Sequence, residues 1–238
     1  MKAILFSIAM IFLIASCKKE EVAVPEKTGY VQFTLNYEAD GAAIVTDTIR
    51  YPIDAGYLIS VVTINYYLSN IKLIREDGQE VLWKDYHYAS MREPLTNTIS
   101  GNQVLQGNYK GVSFNIGLDS THNVPDGLPN TTENNNMIWP EPMGGGYHFM
   151  KFEGYFSDLT GTYGYAMHIG KNENLITIRL DKNFTVGDNV TELPITMNIN
   201  EWFRNPYIYD FNIDGNYSMS SAPAMAKLKA NGTDVFHF

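Results

Sequence analysis

An all-β fold is predicted for this chain: an antiparallel β-sandwich or jelly-roll-like arrangement with one short C-terminal helix. Three observations carry the prediction. Apolar and polar residues alternate with a period of two through eight or nine short runs. Turn-forming pairs such as Asp77-Gly78, Gly107-Asn108 and Thr160-Gly161 separate those runs. Only one segment combines a cap, a helical composition and a stop. The 238 residues are 45% hydrophobic and 13% aromatic, enough to bury the core of a single domain over residues 29–238.

The first strand is read from YVQFTLNYE, where Val31, Phe33, Leu35 and Tyr37 share one face and Gln32, Thr34 and Asn36 the other. YLISVVTINYYLSNIKLI, Tyr57 to Ile74, is long enough for two pieces. EVLWKDY, YKGVSFNIG, YHFMKFEGYF, YGYAMHIG, NLITIRL and LPITMNI follow as further strands. SAPAMAKLKANG is the helix, with Ser221 as cap, Pro223 tolerated in the first turn and Gly232 at the stop. NEWFRNPY fits a single turn. The longest stretch without a pattern runs from Ser120 to Gly146, a length that in a compact domain marks a functional or mobile loop.

The N-terminus carries a second signal. Lys2 precedes the apolar run Ala3–Ala15, which is too short for a membrane span of about 20 residues. Ile14-Ala15-Ser16-Cys17 then resembles a bacterial lipobox. The resemblance implies a lipoprotein signal peptide over 1–16, lipidation of Cys17 and a flexible charged tether over 17–28. The expected location is the outer membrane or cell surface, held to the membrane through the lipid. Cys17 is the chain's one cysteine, so lipidation would leave no thiol for catalysis, metal or a disulfide.

A net charge of -9 argues against nucleic acid, whose binding needs a basic face. No metalloprotease, serine-hydrolase, phosphate-loop or dinucleotide signature is present, and a non-catalytic protein is expected. DFNIDGN, Asp210 to Asn216, copies the opening of a calcium loop, but Ser221 stands where a bidentate Glu belongs, so an Asx-rich turn explains it better.

Histidine and methionine remain as candidate metal ligands. Of His87, His122, His148, His168 and His237, the two that flank Met150 and Met167 draw attention, with Met137 and Met143 nearby. Strict alternation puts His148 on one face with Met150, Phe152 and Phe156. A hairpin centred near Thr160 then sets His168 opposite Phe152, four residues along from His148, or about 13 Å. At that separation the two histidines do not share one metal. Gly144-Gly145-Gly146 would let the backbone fold back and bring Trp139 and Met143 to the start of the strand.

FNIGLDSTHN, MIWPEPMGGGYHFMKFEG, GYAMHIG and YYLSNIKL, in this arrangement, resemble the MbnP-like copper-binding domain, a family of exported bacterial proteins. The resemblance covers the chain from about Gly29 onward. It implies copper held by a histidine together with a tryptophan oxidised to kynurenine, the oxidation being attributed to a partner di-haem peroxidase-like enzyme. On the matching positions these are His168 and Trp139, with His148 and Met143 as further candidates. Many relatives carry W-x-W in the loop, whereas here Trp139 is followed by Pro140-Glu141-Pro142. The reading is therefore a lipid-anchored envelope protein that binds or delivers copper. The alternative is a surface lipoprotein that takes a glycan or protein partner on an aromatic loop.

Overall fold

A computed structural model describes residues 26–238. The predicted signal peptide, Cys17 and the tether as far as Pro25 lie outside the described residues. The strands that carry the architecture are β1 (Val31–Ala39), β2 (Thr63–Arg75), β3 (Glu80–Ser90), β4 (Gly107–Ile116), β5 (His148–Ser157), β6 (Thr162–Gly170), β7 (Ile176–Val186), β8 (Thr191–Asn198) and β9 (Phe236–His237). One ten-residue helix, α1 (Ala222–Asn231), lies just before β9. The all-β prediction holds, and β5 and β6 are the strands read from YHFMKFEGYF and YGYAMHIG.

Alternation builds β1 as expected: Val31, Phe33 and Leu35 are buried while the residues between them are not. Tyr57 to Ile74 does break in two, into Leu58–Ile59 and β2. β2 is the organising strand of the larger sheet. β3 runs along one edge of it, while β4 and β5 divide the other edge, β4 pairing from Leu68 to Arg75 and β5 from Thr63 to Tyr66. β7 extends the sheet beyond β4, and β6 extends it beyond β5. All these pairings are antiparallel.

The smaller sheet runs β9-β8-β1, and here β1 and β8 are parallel, with Val31 opposite Thr191 and Glu38 opposite Asn198. This pair departs from a purely antiparallel sandwich. Strands so far apart in sequence need no hairpin, so the direction of pairing is free to follow the crossover through the larger sheet.

Aromatic rings join the two sheets. Phe33 of β1 meets Trp83 of β3 at 4.5 Å between ring centroids, and Phe236 of β9 meets Phe114 of β4 at 5.3 Å. The hydroxyls of Tyr37 and Tyr66 lie 3.1 Å apart across the same interface. α1 starts as its sequence predicts: the Ser221 hydroxyl accepts from the Ala224 amide at 3.3 Å, with Pro223 in the first turn. Gly232 ends the helix for another reason than the left-handed cap. Its φ is -62°, and a Cβ there would stand 2.6 Å from Ile176 and 2.7 Å from the Trp202 ring.

Trp83 is fully buried, and Gly101 leaves room for its ring, a Cβ at that position falling 2.5 Å from the indole. Trp83→Ala should therefore destabilise the fold by about 3–5 kcal/mol. The midpoint of urea denaturation measures this, and a change near zero would place the indole outside the sheet-to-sheet core.

Candidate functional site

The site begins with an irregularity in β5. His148 pairs with Gly170 of β6, but Met150 already pairs with Ile169 and Lys151 with His168, so Phe149 is an extra residue. Phe149 and Met150 are both fully buried in the core. Past the bulge the alternation is reset, and His148 falls on the outer face with Lys151, Glu153 and His168. This corrects the expectation that His148 shares a face with Met150 and Phe152, and the hairpin register corrects a second one, since His168 lies opposite Lys151 and not Phe152. His148 and His168 are then diagonal neighbours across the hairpin, and their rings lie 5.0 Å apart, edge to face, rather than about 13 Å. The bulge has its own support in the sequence. Gly117 has a φ of +111°, and a Cβ on it would stand 2.4 Å from the Phe149 ring, so glycine there accommodates the extra residue.

The long loop covers this outer face and is tied down along its length. Asn134, in the helical turn Thr132–Asn136, accepts from the Tyr67 hydroxyl at 2.7 Å. The Asn123 side chain accepts from the Tyr147 amide at 2.8 Å. Gly144, Gly145 and Gly146 have φ of 117°, 67° and 80°, which side-chain-bearing residues rarely adopt, and they reverse the chain. As a result the Trp139 amide donates to the Gly146 carbonyl at 2.8 Å and the His148 amide to the Met137 carbonyl at 2.6 Å.

Trp139 is delivered to the outer face of the hairpin and is fully buried there. Its ring centroid lies 4.7 Å from that of His148, and its Nε1 donates to the Met143 carbonyl at 3.2 Å. Gly170 gives it a floor: a Cβ on Gly170 would fall 2.5–2.9 Å from the indole ring atoms. Met143 meets Trp139 through its main-chain carbonyl. An open pocket of about 300 Å³ beside the ring, between Pro125, Ile138, Glu141 and Tyr147, connects this loop to the surface.

His168 is held from two sides. Its amide donates to the Ser218 hydroxyl at 2.6 Å, and that hydroxyl donates back to the His168 carbonyl at 2.7 Å. Its ring Nε2 lies 2.8 Å from Glu153 Oε1. The hydrogen bond from His168 holds the Glu153 carboxyl below the usual carboxylate range.

The electrostatics of His148 define what the site offers. Burial, and secondarily the charge of His168, push its pKa down to about 4, so the ring is neutral near pH 7. Nδ1 lies 3.1 Å from the Met137 carbonyl, which can only accept, so the ring proton sits on Nδ1. Nε2 is then a bare lone pair, buried and without a hydrogen-bond partner. An orphaned acceptor beside a second imidazole suits a metal ion. Nitrogen–metal bonds of about 2.0 Å meeting near a tetrahedral angle would bring two ring centroids to about 5 Å when both share one ion. Among the described residues, no group of three or more His, Cys, Asp or Glu side chains converges on such a point. The arrangement is thus a two-imidazole pair walled by an indole.

The remaining candidates have structural explanations. His87 bonds the Thr96 carbonyl at 2.7 Å, His122 lies 3.0 Å from Asp119, and His237 lies 3.2 Å from Glu38. Met137, Met150 and Met167 are core side chains. In DFNIDGN, Asp210 accepts from Asn212 N and the Tyr57 hydroxyl while Asp214 accepts from Lys227, so an Asx-rich capping turn accounts for the motif. Being buried, Trp139 is not a stacking platform on the loop; the exposed apolar residue beside it is Ile138.

Three contributors to the pair carried no signal in the sequence. Glu153 reads as a plain solvent-facing strand residue until the hairpin register sets His168 on its face, Ser218 lies 50 residues beyond His168, and the Met137 carbonyl belongs to the backbone. Gly170→Ala should push the indole off the hairpin. The expected result is a loss of about 1–3 kcal/mol of stability with a red shift of tryptophan emission. Unchanged emission and stability would mean that Trp139 does not rest on Gly170.

Curated proteins give no match. Among solved structures the chain is similar to MbnP from Methylosinus trichosporium, at 15% identity and a TM-score of 0.48, with 78% of this chain and 80% of that chain covered. The MbnP family model matches residues 28–221, almost the whole of the described fold. The chain belongs to the MbnP family.

Proposed function

We propose that this protein is a non-catalytic copper-binding lipoprotein of the outer envelope, anchored through Cys17 and holding copper between His148 and His168. The observation that carries the reading is the buried, unpartnered Nε2 of His148, 5.0 Å centroid to centroid from the His168 ring. Family membership supports the choice of metal. Two imidazole nitrogens beside an indole form a site of low coordination, which suits Cu(I) better than ions that demand four or six hard ligands. Copper, when bound, supplies the redox-active centre; the chain supplies the two nitrogens, of which His148 Nε2 is buried away from water.

Trp139 takes the part of a wall in its unmodified form, because an indole N–H is a donor and has no lone pair in the ring plane. Oxidation to kynurenine would add an aniline nitrogen next to His148. The Trp139 ring is buried, so a modifying partner would need the triple-glycine loop to open first.

The test loads the purified protein anaerobically with Cu(I), and separately with Cu(II), and measures retained metal. Wild type should retain about one equivalent of Cu(I), and His148→Ala and His168→Ala should each lose most of it. Equal, negligible retention in all three would sink the copper reading. Mass spectrometry of protein from its native host reads the state of Trp139 independently.

A further inference from the structure

We propose that Glu153 is a positioning residue that decides which nitrogen of His168 is offered to the metal: Nδ1 from His168, paired with Nε2 from His148. The inference rests on the copper reading for its metal, but its structural content belongs to the metal-free protein.

An ionised carboxylate accepts hydrogen bonds and cannot donate them, and Glu153 Oε1 lies 2.8 Å from His168 Nε2. In the neutral ring the proton therefore sits on Nε2, and Nδ1 is the free lone pair. Among the described residues Nδ1 of His168 has no hydrogen-bond partner. In His148 the arrangement is reversed. There the Met137 carbonyl fixes the proton on Nδ1 and leaves Nε2 bare. The two rings are thus held in opposite tautomers by two different acceptors, one a side chain and one the backbone. The two rings meet edge to face.

A carboxylate behind a ligating histidine also makes the ring a stronger donor, and outer partners of this kind are typically worth 10- to 100-fold in metal affinity. Glu153 is partly exposed, at 35% of its side chain, so replacing it leaves no cavity in the core. Lys151, directly across from His168, donates to the Asn136 carbonyl at 3.4 Å and is turned to the loop.

The experiment is long-range ¹H–¹⁵N correlation of the imidazole nitrogens in the ¹⁵N-labelled, metal-free protein, followed by Cu(I) competition with a chromophoric chelator. Wild type should show His168 protonated at Nε2 and His148 at Nδ1. Glu153→Ala should release the His168 tautomer into a mixture and weaken Cu(I) binding about 10- to 100-fold. Glu153→Gln keeps an acceptor oxygen in the same place and should preserve the tautomer, with an affinity between those of wild type and Glu153→Ala because the carboxylate charge is gone. His168 protonated at Nδ1 in wild type, or a tautomer unchanged in Glu153→Ala, overturns the proposal. The tautomer measurement needs no metal. Failure of copper binding with the tautomers as stated would therefore count against the copper reading and leave the positioning role of Glu153 in place.

Discussion

Everything at this site depends on one main-chain carbonyl, that of Met137, and on the bulge it faces. That oxygen accepts from the amide of His148 and from its ring Nδ1, at 2.6 and 3.1 Å. The first bond closes the loop onto the start of the strand. The second fixes the tautomer of the ring, so that the nitrogen left over is a lone pair with nothing to bond to. A buried acceptor without a donor costs free energy, of order 1–3 kcal/mol. A metal ion would satisfy it.

The cover over the pair follows from glycines placed where no other residue fits. Gly170 allows an indole to lie flat on the hairpin, Gly117 leaves room for Phe149, and the three glycines before Tyr147 turn the loop back on itself. Each relieves a close approach or a left-handed backbone, and together they let a large aromatic side chain close over two polar rings. Burial then acts on the chemistry by keeping His148 neutral and available as a ligand.

Much of the fold was legible in the sequence because period-two alternation and turn pairs report directly on which face is buried. β1, the break between Leu58–Ile59 and β2, and the capped helix after Ser221 all follow from such local signals. The family was legible too, from motifs spread over most of the chain. What the sequence hid was the register. A bulge adds one residue without changing the hydrophobic pattern, because Phe149 and Met150 are both apolar and both turn inward. Strict alternation about a hairpin centred on Thr160 therefore places His168 opposite Phe152 and His148 four residues away, whereas the hairpin sets His168 opposite Lys151 and the bulge then carries His148 to that same outer face. The one-residue error in hairpin register concealed Glu153, which shares a face with His168 only when His168 lies opposite Lys151. Ser218 and the parallel pairing of β1 with β8 depend on contacts between distant segments, for which a single sequence offers no local sign.

The central claim is that two imidazoles, brought together by the bulge, bind one copper ion. X-ray absorption of the Cu(I)-loaded protein counts those imidazoles directly through their outer-shell scattering. The account predicts two in the wild type. A copper ion bound by one imidazole or none in the wild type, or bound mainly by sulfur, would contradict it.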